Sequence, residues 1–158
     1  MILYHGSNIN IETIDLNKSM HGKDFGKGFY LSDDEAQAIN MAKLKTSLFG
    51  GEAIINHYEF DESILSSKVL NVKLFTEYSL EWAEFILMNR KNHTDTPSHS
   101  FDIVYGPIAN DKVGVQIRNL IENNITIETF LERLKYMKGI TFQYFFGTER
   151  AIKYLHKL

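Results

Sequence analysis

The chain has 158 residues, 44% hydrophobic and 23% charged, with 17 Lys and Arg against 20 Asp and Glu for a formal net charge of −3. That length suits one domain with its own core, and the acidic balance argues against a general nucleic-acid binder. Cysteine is absent, which excludes disulfides and thiol chemistry; no apolar run approaches the roughly 18 residues of a membrane span and no signal peptide is visible, so a cytoplasmic protein is expected.

Ile2-Leu3-Tyr4-His5 reads as a short strand ending at Gly6. Phe29-Tyr30-Leu31 reads as a second, entered through Gly26 and Gly28. Ser32-Asp33-Asp34-Glu35 fits a capping box with Ser32 at the N-cap and Glu35 at N3. It opens a helix over Asp33 to Leu48, with Ala36, Ile39, Met41, Ala42 and Leu44 as its apolar positions. Alternation predicts strands over Ala53 to Phe60 and Val69 to Phe75. Thr76 is placed to cap a helix bearing Leu80, Ala83, Leu87 and Met88 on one face. Asn89 to Ser100 carries no apolar residue and reads as an exposed loop within the domain.

Phe101 to Ile108 reads as a strand closed by Gly106-Pro107. Val113, Ile117, Leu120 and Ile121 mark an amphipathic helix, and Thr126 caps another bearing Ile127, Phe130, Leu131 and Leu134. Ile140 to Phe146 is strand-like, and Thr148 caps a final helix carrying Ile152 and Leu155. Strands and helices alternate irregularly, which points to an α+β domain rather than repeated βαβ units.

Three segments carry residues suited to chemistry. In Leu3-Tyr4-His5-Gly6-Ser7 an imidazole stands beside a turn whose backbone amides can bind a carboxamide or a hydroxyl; the competing reading is a surface His before a turn glycine. In Gly26-Lys27-Gly28-Phe29-Tyr30 the glycines let a backbone approach a ligand closely, and the Tyr face can stack on a planar heterocycle; the competing reading is a hairpin entry with a packed aromatic. Lacking a third Gly and a following helix, it is not a Rossmann fingerprint. Gln143, in an aromatic strand, is either an edge residue or a hydrogen-bonding group in a cleft. His21, His93, His99 and His156 show no metal-ligand spacing, so no metal is expected.

Taken in order, Leu3-Tyr4-His5-Gly6-Ser7 and Phe25-Gly26-Lys27-Gly28-Phe29-Tyr30-Leu31-Ser32-Asp33 resemble the NAD-binding half of the ADP-ribosyltransferases. The likeness is to the diphtheria-toxin and poly(ADP-ribose) polymerase branch, whose signature is His-Tyr-Glu. The whole chain is similar to a bacterial domain-of-unknown-function family, 3990, through Asp102-Ile103-Val104-Tyr105-Gly106-Pro107-Ile108-Ala109-Asn110-Asp111 and Phe142-Gln143-Tyr144-Phe145-Phe146-Gly147-Thr148-Glu149.

The resemblance implies one ADP-ribosyltransferase-like domain over residues 1–158, with two small facing sheets around an NAD cleft and helices outside. It implies that His5 bonds the adenosine ribose, Gly6 pairs its backbone with the nicotinamide carboxamide, Ser7 lies at the ribose or carboxamide edge and Tyr30 stacks on the nicotinamide ring. Lys27 would reach the pyrophosphate or sit in solvent, and Gly28 would let the backbone approach the cofactor. Gln143 falls where the branch has its catalytic Glu: an amide can hold the ribose hydroxyl but brings neither charge nor base. Ala38 and Met41 stand where polymerases place a Ser and a second stacking Tyr. Glu128 and Glu149 lie near in sequence and are alternative carboxylates.

The implied activity is NAD-dependent mono-ADP-ribosyl transfer, with NAD+ as co-substrate and no metal. Its acceptor would be a protein, a nucleic acid or a small molecule. The implied setting is a bacterial toxin–antitoxin or phage-defence pair with an antitoxin protein as partner. A weak or inactive NAD- or ADP-ribose-binding module, or a protein-interaction domain, is the alternative.

Overall fold

The computed structural model describes all 158 residues. Its strands are β1 (Ile2–Ser7), β2 (Phe29–Leu31), β3 (Ile54–Phe60), β4 (Val72–Leu74), β5 (Ile103–Pro107), β6 (Phe142–Phe146) and β7 (Leu155–Lys157). Its α-helices are α1 (Glu35–Phe49), α2 (Leu80–Lys91), α3 (Asp111–Ile121), α4 (Ile127–Leu134) and α5 (Glu149–Ile152). They form the α+β architecture expected, with two small sheets ordered β1-β3-β7 and β2-β6-β5-β4. No helix is long and apolar enough to cross a membrane.

Strand alternation explains how the layers stack. In β6, Phe145 points to one face of the four-stranded sheet and Tyr144 and Phe146 to the other, as a period of two requires. Phe145, with Val104, Phe75 and Phe25, meets Trp82, Ile86, Val113, Ile117 and Phe130 of the helices α2 to α4 in one apolar cluster. Tyr144 and Phe146, with Leu31 and Ile103, meet Leu3, Tyr58, Phe60 and Leu155 in a second cluster between the two sheets. The four-stranded sheet is thus buried on both faces, and burial of these large side chains is the main stabilising term. The buried Asp102 pins one end of this sheet. Its carboxylate accepts hydrogen bonds from the Asn71 amide, Thr148 and Arg150. Burial alone would raise its pKa, but these donors outweigh it and hold the carboxyl below its ordinary value.

Helix α1 covers the outer face of β1. Its contact surface is small: Ala38 and Ala42, one turn apart, are its only buried residues and rest on Gly6. A Cβ at Gly6 would lie 2.0 Å from the Ala38 carbonyl oxygen, so only glycine allows this approach. Met41 and Leu44, expected on the buried stripe, are exposed instead, because backbone-to-backbone contact leaves no room for a larger apolar face.

Several boundaries differ from expectation for local reasons. Asp34, not Ser32, caps α1, accepting from the Ala36 amide. Ser32 is buried, bridges to Tyr4 in β1 and donates to Gln37. Ser79, not Thr76, caps α2, since Phe75 still bonds the Tyr105 carbonyl as an extension of β4. The stretch Asn89 to Ser100 begins inside α2, where Asn89 is buried and bonds the Phe85 carbonyl. The strand expected over Val69 to Phe75 is regular only over Val72–Leu74, and that over Ile140 to Phe146 only from Phe142. Thr148 does cap a helix, but one of a single turn. Leu155 lies on β7, paired with Phe60 of β3, because the open edge of β3 takes up the chain.

Gly6→Ala should destabilise the fold by at least the ~1–3 kcal/mol typical of overpacking, a fall in Tm of roughly 2–12 °C for a chain of this size. Thermal unfolding followed by circular dichroism checks it; an unchanged Tm would mean that α1 does not rest on β1.

Candidate functional site

The two sheets join at one point. Tyr4 of β1 and Ser32, just beyond β2, exchange both backbone hydrogen bonds, at 2.7 and 2.9 Å. Continued in register, the next pair would be Gly6 with Tyr30. It does not form, because the Tyr30 carbonyl lies 2.6 Å from Nδ1 of His5. Beyond the bridge the strands part, and a cavity of about 500 Å³ opens between them. In an antiparallel strand, residues two apart direct their N–H and C=O to the same side. Gly6 therefore turns its backbone to the edge used by Tyr4, where it lines the cavity.

His5, Gly6, Gly28, Tyr30 and Gln143 all line this cavity, although β1, β2 and β6 are far apart in the chain. Gln143 lies on the face of β6 that also carries Phe145, two residues on. Further in, however, that face is core rather than cleft. Ala38 and Met41 also line the cavity, from α1. Two expected residues do not. Ser7 is buried, its Oγ accepting from the Ile9 amide, and Lys27 pairs with Asp95 at 3.3 Å. Glu128 and Glu149 stand outside it as well.

His5 is held in a defined state. A carbonyl only accepts, so Nδ1 carries the proton and donates to Tyr30. Burial, then the Lys45 ammonium, pulls the ring's pKa down to about 4, so the imidazole is neutral and Nε2 is a bare acceptor. Lys45 Nζ donates to it at 3.2 Å. The ring stacks on Phe29 with centroids 4.2 Å apart.

Tyr30 is equally constrained. Its hydroxyl donates to the Gly26 carbonyl at 2.6 Å and accepts from the Phe25 amide at 3.0 Å. The phenol thus ties down the turn that carries the glycines. Burial pushes its pKa well above the ordinary value, so it stays protonated. Lys23 Nζ lies 5.2 Å from the ring centroid, a cation–π distance.

Charge in the cavity opposes the charge of the chain. Lys23, Lys45 and Arg90 line it, against one carboxylate, Asp24. Asp24 is already paired with Arg90, Nε to Oδ1 at 2.6 Å. Burial, then the neighbouring Lys23, lowers the Lys45 pKa to about 8, as loss of solvent followed by a like charge does to an ammonium. The arrangement suits an anionic ligand with a planar ring and hydroxyl groups.

Sequence reasoning missed Lys23, Gln37, Lys45 and Arg90. Gln37, Met41 and Lys45 recur every four residues, so a single stripe of α1 faces the cavity; that spacing was a usable signal. Arg90 gave none, since only the tertiary fold brings α2 to β1. Behind the Phe25-Gly26 turn lies a second cavity of about 480 Å³, lined mainly by polar residues of the Asn92 to Phe101 segment and by Lys27. There the Phe101 amide donates to His99 Nδ1, so Nε2 carries the proton and donates to the Phe25 carbonyl at 2.7 Å.

A protein-family model described as Protein of unknown function (DUF3990) matches residues 1–157, and the chain belongs to that family. No curated protein and no solved structure matches it.

The His5 pKa has a consequence for stability. The folded ring takes a proton only near pH 4, whereas the unfolded ring does so near 6.5. Between these values the unfolded chain binds more protons, so stability that is complete above pH 6.5 declines as pH falls toward 4. His5→Gln should flatten this slope in urea titrations between pH 6.5 and 4; an unchanged slope would show that the ring is not buried neutral. Tyr30→Phe strands the buried Phe25 amide and should cost about 1–3 kcal/mol, read as a lower denaturation midpoint at constant m-value; a wild-type midpoint would show that the hydroxyl does not hold the turn.

Proposed function

We propose that this chain binds NAD in the cavity between β1 and β2 and transfers one ADP-ribose unit to an acceptor, as a mono-ADP-ribosyltransferase with an ADP-ribosyltransferase-like fold. One observation carries the reading. His5, Gly6, Tyr30 and Gln143, the positions singled out by the resemblance to the His-Tyr-Glu branch, line a single cavity of a size normal for ligand sites.

Each residue has a chemical task in this scheme. The Nε2 acceptor of His5 accepts a hydrogen bond from a ribose hydroxyl. The Gly6 N–H and C=O, turned to an open strand edge, match the two halves of a carboxamide. The Tyr30 ring, which already attracts the Lys23 ammonium, offers the same electron-rich face to the cationic nicotinamide ring. Lys23, Lys45 and Arg90 supply positive charge for the pyrophosphate. As the glycosidic bond breaks, its electron pair leaves with nicotinamide, and an acceptor atom bonds the ribose carbon and loses its proton to water. Gln143 holds a ribose hydroxyl but neither stabilises the developing cation as a carboxylate does nor takes the acceptor's proton. Turnover is therefore slow and limited to single units. The acceptor is a protein, nucleic acid or small molecule, and a bacterial toxin held by an antitoxin protein is the setting this scheme fits.

One observation favours a second reading, an NAD- or ADP-ribose-binding module. The only carboxylate lining the cavity, Asp24, is committed to Arg90.

Incubation with NAD and a bacterial lysate should release nicotinamide, and Gln143→Glu should raise that release by up to roughly 10²–10³-fold, the worth of one preorganised electrostatic group. NAD binding in a calorimetric titration without release from either chain would replace the transferase with the binding module. No NAD binding at all would overturn both readings.

A further inference from the structure

Lys45 competes for the atom that a ribose hydroxyl needs. Nδ1 of His5 is committed to the Tyr30 carbonyl, so the ring has a single acceptor, Nε2, and Lys45 Nζ sits on it at 3.2 Å. A hydroxyl that donates to Nε2 must displace the ammonium. Once displaced, Lys45 remains in a cavity shared with Lys23 and Arg90. Asp24 is held by Arg90, so no free carboxylate there receives it. The helix cannot carry the charge away, because Ala38 and Ala42 seat α1 on Gly6 at backbone contact. Only the side chain moves, and the anion it needs must arrive with the ligand.

We propose that Lys45 makes the cavity selective for phosphate-bearing nucleotides: it caps the His5 acceptor and gives it up only to a ligand whose phosphate takes the ammonium in exchange. The inference rests on the nucleotide reading above and adds a specificity rule to it. Ribose and phosphate recognition become one coupled event. Nucleosides, which offer the same sugar and base without an anion, are disfavoured because they would leave a half-buried ammonium beside other cations with no counter-charge. Selectivity of this kind comes from the cost imposed on the wrong ligand as much as from contacts to the right one.

The test compares three chains, wild type, Lys45→Met and Lys45→Gln, each titrated calorimetrically with NAD and with adenosine, the uncharged riboside that carries the sugar assigned to His5 without a phosphate. Met keeps the apolar stem without a donor; Gln keeps a donor without the charge. Lys45→Met should lose about 10–100-fold in NAD affinity, the worth of a hydrogen bond to a charged group. It should also gain roughly 2–10-fold for the riboside as Nε2 is uncovered. Lys45→Gln should lose NAD affinity and gain nothing for the riboside, since the amide still caps His5. NAD affinity unchanged in Lys45→Met, or no gain for the riboside, would overturn the role of Lys45 and leave the nucleotide reading standing. A wild-type chain that binds no NAD would remove that reading and this one together. Thermal melts of the three chains establish that the comparison is between folded proteins.

Discussion

The hydrogen bond from His5 Nδ1 to the Tyr30 carbonyl stands where a backbone pair between Gly6 and Tyr30 would otherwise continue the contact between β1 and β2. Backbone groups that lose a strand partner need another one. The imidazole supplies it for Tyr30, and the strands separate at that point. The same bond fixes the ring tautomer, so the free nitrogen faces the cavity as an acceptor. It leaves the Gly6 backbone on an open edge, and it places the Tyr30 ring across the gap from α1. The cavity, its acceptor and its strand edge thus share one cause.

The second determinant is charge. A chain of net charge −3 gathers Lys23, Lys45 and Arg90 around one cavity with a single, already paired carboxylate. Low-dielectric walls strengthen such a field and make it local. An average over the chain conceals it, and the acidic total says nothing about what this cavity binds. The cations come from a loop, from α1 and from α2, so the field is a product of the fold and not of any one segment.

That origin explains what could be read from the sequence. Amphipathic helices such as α3, with Val113, Ile117 and Leu120, and α4, with Phe130 and Leu134, declare themselves by spacing because burial alone places them. Caps were legible where one residue fits, as with Thr126 and Thr148. They were misjudged where two polar residues compete, as with Ser32 and Asp34, because the bridge to Tyr4 that claims Ser32 is a tertiary contact. Leu155 went to a helix because nothing local marks an open edge on β3. In the site, His5, Gly6, Gly28, Tyr30 and Gln143 were named by motif. Lys27 was named because it lies between Gly26 and Gly28, but its ion pair with Asp95 takes it out of the cavity, while Lys23, which lines the cavity, belongs to no motif. Arg90 was hidden because its partners are set by how α2 packs.

The turn at Phe25 and Gly26 is held from both sides. Tyr30 grips it from the cavity between β1 and β2 and His99 from the one behind. The turn lines the rear cavity, and its two fastenings come from residues of different cavities. Loosening His99 would shift the same backbone that seats the Tyr30 ring. A saturation scan scored by ligand capture would then draw a footprint that runs past the turn into the rear cavity. Its outline would trace the fastenings of the turn together with the surface the ligand touches.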